Sequence, residues 1–134
     1  MKIQLREIRE SDLIFLNKCR NKFSVSKYLN HYCPKSLESE RQWSLAHKDE
    51  IHFIIEVDND KQVGQISLIH FFHKEKQAEL TIFLDDDHCG KGYGKIATKL
   101  MLHYAFSELN LHKIILHVYE GNETAKSLYE SVGF

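Results

Sequence analysis

The sequence predicts a mixed α/β domain in which an antiparallel meander leads into one β-loop-α-β crossover. Three observations predict it. Ile51–Val57, Gln62–Phe72 and Ala78–Leu84 are strand-like runs parted by short polar turns, a spacing that suits antiparallel neighbours. A glycine-rich stretch, Asp85 to Lys95, then joins the third run to a long helical pattern. Finally, Lys113–Tyr119 is almost continuously apolar, as in a buried strand parallel to its predecessor, and an amphipathic segment follows it.

Taken in order, Ile3 and Leu5 alternate with polar residues as a short first strand. Ser11 is placed to cap a helix over Asp12–Cys19, with Asp12 matched to the helix dipole. A second short helix or turn carries Val25, Tyr28 and Leu29, and Pro34 breaks the chain. Ser36 then caps a helix through Leu37, Arg41, Ser44 and Leu45. Asp58-Asn59-Asp60-Lys61 is a turn cluster, and Gly64 marks a bulge in the run that follows. Beyond the glycine loop, Ile96, Leu100, Met101, Tyr104, Ala105 and Leu109 form an apolar helical stripe from Lys95 to Leu109. Asn122 caps a last helix whose Ala125, Leu128, Tyr129 and Val132 share one face, and Gly133 stops it. The crossover is expected to be right-handed, with a ligand site where neighbouring strands part at their C-terminal ends.

The bulk properties narrow the function. A chain of 134 residues with 43% apolar and 28% charged content is one ordinary globular domain. A formal charge of −1 offers no field for nucleic acid or an anionic membrane surface. No apolar run reaches membrane-spanning length, and the N-terminus lacks a signal-peptide core. The three cysteines, Cys19, Cys33 and Cys89, are widely spaced, which reads as reduced thiols in a cytoplasmic protein. The nine histidines show no metal-ligand spacing.

The glycine loop carries the chemistry. Gly90, Gly92 and Gly94 let the backbone turn sharply and bring bare N–H groups close to a ligand, and the helix that follows aims its dipole at the same place. Lys91 and Lys95 add positive charge. The junction is suited to phosphate. It is not the nucleoside-triphosphate loop, because Lys95-Ile96 stands where Lys-Ser/Thr would close that motif, and the opening meander fits a dinucleotide fold poorly. The plain alternative is a tight strand-to-helix turn that binds nothing.

Two motifs give the loop a context. Cys89-Gly90-Lys91-Gly92-Tyr93-Gly94 matches Gln/Arg-x-x-Gly-x-Gly/Ala, with Cys89 in place of the usual Gln or Arg. Asn122, Ala125, Tyr129, Gly133 and Phe134 match Asn-x-x-Ala-x-x-x-Tyr-x-x-x-Gly-Phe in full. With these the chain resembles the GNAT superfamily of acetyl-CoA-dependent N-acetyltransferases over essentially its whole length. Leu5-Arg6-Glu7-Ile8-Arg9-Glu10-Ser11-Asp12-Leu13 and Ala78-Glu79-Leu80 are similar to the RimJ/RimL branch and to bacterial spermidine/spermine acetyltransferases. The resemblance implies a strongly bent sheet with splayed central strands. It also implies acetyl-CoA as co-substrate and direct acetyl transfer to a primary amine, whether polyamine, protein N-terminus or amino sugar. The family continues into a closing pair of strands beyond the position of Phe134, so the resemblance further implies a C-terminally truncated domain over 1–134, with an open sheet edge that favours a homodimer.

By that resemblance the amides around Cys89, Gly90, Lys91, Gly92, Tyr93, Gly94 and Lys95 hold the diphosphate. Ile82, Phe83 and Leu84 pair with the pantetheine arm and face the thioester, and Asn122 touches coenzyme A besides capping its helix. Tyr129 is the candidate acid for the leaving thiolate, against the alternative of an aromatic that merely fills the core. Glu79 shares a strand face with Thr81 and Phe83 and is the candidate base, with a structural strand residue an equal alternative. His117, on the adjacent buried strand, and His70 are rival bases, each also readable as a sheet histidine. Asp85-Asp86-Asp87 reads as a solvated loop rather than a polyamine trap, and Cys89 as a reactive thiol that catalysis does not need. A non-catalytic coenzyme A-binding module of the same fold is the competing function.

Overall fold

The computed structural model describes residues 2–22, 36–46, 50–59, 61–85, 88, 90–117 and 123–134. Five strands form one sheet: β1 (Ile3–Glu7), β2 (Ile51–Val57), β3 (Lys61–Phe72), β4 (Gln77–Leu84) and β5 (Lys113–Ile115), side by side in chain order. The first four are antiparallel, and β5 runs parallel to β4. Helices α1 (Leu13–Arg20) and α2 (Leu37–Ala46) lie between β1 and β2 in sequence. Helix α3 (Tyr93–His103) makes the crossover, and α4 (Glu123–Ser131) follows β5. The meander and the crossover are thus where the strand and glycine patterns put them.

The sheet is buried on both faces at its centre. Ile55, Val57, Ile66, Leu68, Ala78 and Leu80 pack with Tyr93, Ala97, Met101 and Ala105 from the α3 segment and Tyr129 from α4. Ile54 turns the other way, onto Leu13 and Leu16 of α1, with Phe83 at the margin. Both Ile54 and Ile55 have no exposed surface, and burial at ~2 kcal/mol for each such side chain fixes the register of β2.

Several local expectations are corrected. Ser11 does not cap α1. A single turn of 3₁₀ helix, Glu10–Asp12, precedes it, and the Asp12 carboxylate instead accepts the Arg9 amide at 2.7 Å and a two-pronged contact from Arg6 at 2.8 and 2.9 Å. Asp12 rather than Ser11 thus supplies the side-chain acceptor of this turn, and its pair with the half-buried Arg6 is a charge-assisted contact that a hydroxyl does not match. Ser36 does cap α2, its hydroxyl accepting the Ser39 amide at 3.1 Å. In α3 the expected stripe is partly wrong, since Ile96 and Leu100 are each 39% exposed. The helix starts at Tyr93 and lays Gly94, Ala97 and Thr98 on the sheet, so small residues permit the close approach that large ones were expected to fill. It then continues as one π-helical turn over Tyr104–Glu108. Strand β5 is half-buried, and its paired part among the described residues ends at Ile115 rather than running to Tyr119. The Val25–Leu29 segment lies outside the described residues.

Candidate active site

Glycine backbone geometry shapes the loop. Gly90 and Gly92 have φ of 78° and 82°, conformations that L side chains adopt only at a cost. Gly92 occupies the N-cap of α3 and has no side chain to offer the helix; its carbonyl accepts the Ile96 amide at 3.3 Å. The amides of Tyr93, Gly94 and Lys95 open the helix, where no intrahelical acceptor precedes them. A Cβ built on Gly90 or Gly92 meets nothing within 4 Å, so there is open space beside each. Lys91 and Lys95 are exposed beside the turn. These residues fit an anionic diphosphate: first-turn amides, a helix dipole, two exposed cations and room.

Gly94 has a different task. Its missing side chain lets α3 sit against Leu128 of α4 and Leu84 of β4, where a Cβ would come within 3.3 and 3.4 Å of their methyl groups. The helix whose N-terminus forms the loop is thereby locked to the end of β4.

The strands part where the chemistry was expected. Strands β4 and β5 pair at Gln77–Lys113, Ala78–Ile114 and Glu79–Ile115, and Glu79 is the last paired residue of β4 on that side among the described residues. Among the described residues, β4 from Leu80 to Leu84 is paired to β3 alone. Ile82, Phe83 and Leu84 therefore form a half-buried arm with one backbone edge turned from the sheet, leading toward the glycine loop. Ile82 and Leu84 brace the α3 core and Phe83 the α1 core, so packing and a ligand use different atoms. Beneath the arm, Gly64 of β3 comes so close that a Cβ there would stand 2.2 Å from the Phe83 carbonyl oxygen. The bulge expected at Gly64 is present: the β2–β3 register shifts between Ile55 and Glu56, whose partners are Gly64 and Gln62.

Glu79 sits at the apex of this opening, 8% exposed. Its Oε1 is 3.0 Å from His70 Nδ1 on β3 and 3.3 Å from His117 Nδ1 just past β5. Sequence reasoning treated these three as rivals, whereas the structure brings them together. His117 is not buried, as a place on a buried strand implied, but has a side chain 74% exposed, because it follows the paired part of β5. Nothing in the spacing of the three residues announces the cluster.

Tyr129 projects from α4 into the same region, 6% exposed. Burial, and secondarily the Glu79 charge, push its phenol up to about 12. Its ring meets Phe134 edge to face at 5.9 Å, and its carbonyl accepts the Phe134 amide at 3.0 Å as the chain turns through Gly133. It is thus a core residue, as one of the two sequence readings had it, and its burial leaves the phenol beside Glu79.

Cys89, Asn122, Asp86 and Asp87 lie outside the described residues. Asp85 is ion-paired with Lys22 at 2.5 Å and donates its amide to the Val63 carbonyl at 2.8 Å, so it anchors the loop's entry. A cleft of about 350 Å³ between the α3 segment, β5 and the chain's C-terminal residues contains none of the expected site residues. Among the described residues no group of three or more His, Cys, Asp or Glu side chains is arranged to hold a metal ion, and no helix is long and apolar enough to cross a membrane.

A mixed sheet that opens between parallel strands, with a glycine turn and helix N-terminus at the mouth of the opening, is an arrangement suited to an acyltransferase that takes its acyl group from a coenzyme A thioester. Residues 2–134 match the acetyltransferase (GNAT) domain family, and the chain belongs to it. It is 30% identical to the spermidine N(1)-acetyltransferase of Vibrio cholerae over 138 aligned residues, spanning 98% of this chain and 78% of that one. A crystal structure of spermidine N-acetyltransferase from Vibrio cholerae in complex with CoA and spermine superposes with a TM-score of 0.91 at 30% identity, covering 98% of this chain and 79% of that one. A dodecameric structure of that enzyme in an intermediate state gives a TM-score of 0.81 at 30% identity, covering 98% and 78%. The protein is an N-acetyltransferase with acetyl-CoA as co-substrate.

Proposed function

We propose that this enzyme acetylates a primary amine of a small polycation of the spermidine and spermine type. The observation that carries the reading is the carboxylate of Glu79 at the apex of the β4–β5 opening, with Tyr129 close enough for its phenol to register that charge. An anionic apex suits a cationic acceptor, and the named relatives act on or hold polyamines. Bound acetyl-CoA supplies an activated acetyl thioester. The amides of Gly90 to Lys95, with Lys91 and, by motif, Cys89, hold its diphosphate, and Asn122 by motif touches coenzyme A. The Ile82–Leu84 arm aligns the pantetheine chain.

The two proton duties fall to different groups. Tyr129 keeps its proton throughout the neutral range because its pKa stands near 12. A phenol that weak does not protonate a thiolate solvated in water, whose reference value is ~8.5, but burial raises a thiol as well, and the two meet in one desolvated site. The Glu79 cluster takes the proton from the acceptor's ammonium. The domain's self-association and a cytoplasmic setting belong to the same reading, the first supported by the dodecameric relative and the second by the wide spacing of the chain's three cysteines.

An acceptor panel at saturating acetyl-CoA tests it. Spermidine and spermine are expected to turn over at least tenfold faster than an N-terminal peptide or glucosamine. A preference for either of the latter refutes the acceptor class. Coenzyme A binding with no turnover on any amine returns the domain to a non-catalytic binding module.

A further inference from the structure

Strict alternation along β3 would carry His70 away from Glu79. Ile69 is the cross-strand partner of Glu79 and shares its face, so the next residue belongs on the opposite one. The strand instead slips register between Ile69 and Phe72, and His70 takes a φ of 50°. Bulges of this kind re-aim a side chain, and a strained non-glycine residue marks a place where the surrounding structure sustains a cost. The outcome of this distortion is the 3.0 Å contact between His70 Nδ1 and Glu79 Oε1.

The contact fixes the chemistry of the ring. An ionised carboxylate only accepts, so the Nδ1 facing it bears the hydrogen, and the neutral ring keeps its lone pair on Nε2. His117 Nδ1, 3.3 Å from the same oxygen, is fixed the same way. Their side chains are 63% and 74% exposed, so both Nε2 edges face outward from a carboxylate that is only 11% exposed. The titratable groups registered against Glu79 among the described residues are these two rings, from β3 and from beyond β5, and Tyr129 from α4.

We propose that His70 takes part in deprotonating the acceptor: Glu79 is a positioning residue that orients His70 and His117, and the ammonium proton passes to an imidazole Nε2 rather than to the carboxylate. One N–H bond of the ammonium breaks and its electron pair remains on nitrogen as the nucleophile. The proton forms a new N–H bond at Nε2. The imidazolium so formed is held against the Glu79 carboxylate and releases its proton to water from its exposed edge. Two rings on one oxygen give the proton two acceptors.

This inference rests on the proposed acceptor chemistry, and the experiment separates the two. The pH dependence of kcat/KM for spermidine is measured between about pH 6 and about pH 9.5 for wild type, His70→Asn, His117→Asn and the double variant. Asn tolerates a positive φ and offers an amide donor to Glu79, but it has no nitrogen lone pair to protonate. His70→Asn is expected to lose about tenfold near neutral pH, His117→Asn less than about twofold because His70 still accepts the proton, and the double variant about a hundredfold. The deficit is expected to close as pH approaches the ~10.4 of a primary ammonium, where the amine loses its proton unaided. His70→Gly relieves the backbone and is expected to keep or raise Tm while losing the same activity, so misfolding does not account for the loss. A deficit that stays constant with pH, or no deficit at all, in an enzyme whose wild type turns over overturns the role of His70 and leaves the acceptor reading standing. A wild type that acetylates no amine at any pH removes both.

Discussion

Gly64→Ala tests whether the Ile82–Leu84 arm positions the donor. The alanine Cβ would stand 2.2 Å from the Phe83 carbonyl oxygen and 3.0 Å from the Leu84 Cα, both backbone atoms that no rotamer change can move. An ordinary carbon–oxygen contact needs roughly 1 Å more, so β3 and the end of β4 must separate by about that distance. Overpacking of this kind costs about 1–3 kcal/mol, which for a domain of this size lowers Tm by several degrees. The same displacement falls on the strand edge expected to hold the pantetheine chain, where a misplacement of ~1 Å costs on the order of a hundredfold in rate. The assay is a thermal melt with and without coenzyme A, beside steady-state kinetics at saturating spermidine. Expected are a lower Tm, a raised KM for acetyl-CoA and a reduced kcat. An alanine variant with wild-type Tm, KM and kcat would refute the reasoning, because it would mean that the arm can move without consequence.

Four further outcomes follow from the same geometry. Tyr129→Phe is expected to lower kcat by about 10²–10³-fold with the Kd for coenzyme A unchanged by calorimetry, and an unchanged kcat removes Tyr129 from the acid role. The raised phenol adds stability that is fully present below pH ~10 and is lost as pH rises through about 12, so wild type should lose up to ~3 kcal/mol more than Tyr129→Phe in that alkaline window by urea titration. Gly92→Ala meets no neighbour but must adopt a φ of 82°, so a loss of about 1–2 kcal/mol and a weaker Kd for coenzyme A are expected, and equal affinity would contradict the diphosphate anchor. Burial pushes Asp12 up, yet the hydrogen bonds from Arg6, the Arg9 amide and Gln62 outweigh it and hold the carboxyl at about 2. Stability of ~2 kcal/mol from this group is present above pH ~4 and lost as pH falls through about 2, and Asp12→Asn should flatten that part of an acid-denaturation curve.

Legibility from sequence divides along the range of the interactions. Strand runs, turn chemistry and helix stops are local, and Ile51–Val57, the Ser36 cap, the Gly64 bulge and the Gly133 stop all stand where composition put them. The α3 stripe held at Met101, Tyr104, Ala105 and Leu109 but missed at the helix start, where hydrophobic size was read as burial. There Gly94, Ala97 and Thr98 are buried beside Tyr93 and Met101, and Ile96 and Leu100 are left half outside. Ser11 failed because its rival, the Arg6–Asp12 pair, joins residues on two elements. The same Arg6 holds Glu56 at 2.6 Å, tying the edge strand β1 to β2 in a way no local pattern announces.

The candidate site shows the same division at higher stakes. Gly90, Gly92 and Tyr129 were legible because a motif fixes their spacing. The grouping of His70, Glu79 and His117 depends instead on a bulge, a register and the place where two strands part. A one-residue change in any of these would send His70 to the opposite face or draw His117 into the paired sheet. Opening the sheet one pair later would bury Glu79 between strands, and opening it one pair earlier would leave it away from the apex. On the proposed reading, the last parallel pair among the described residues, Glu79–Ile115, would therefore set where acceptor chemistry takes place, just as the φ of Gly92 would set where the diphosphate sits. The Ile82–Leu84 arm spans the interval between them. That interval is fixed by strand length, which explains how an enzyme with few conspicuous catalytic residues still aligns a thioester and an amine.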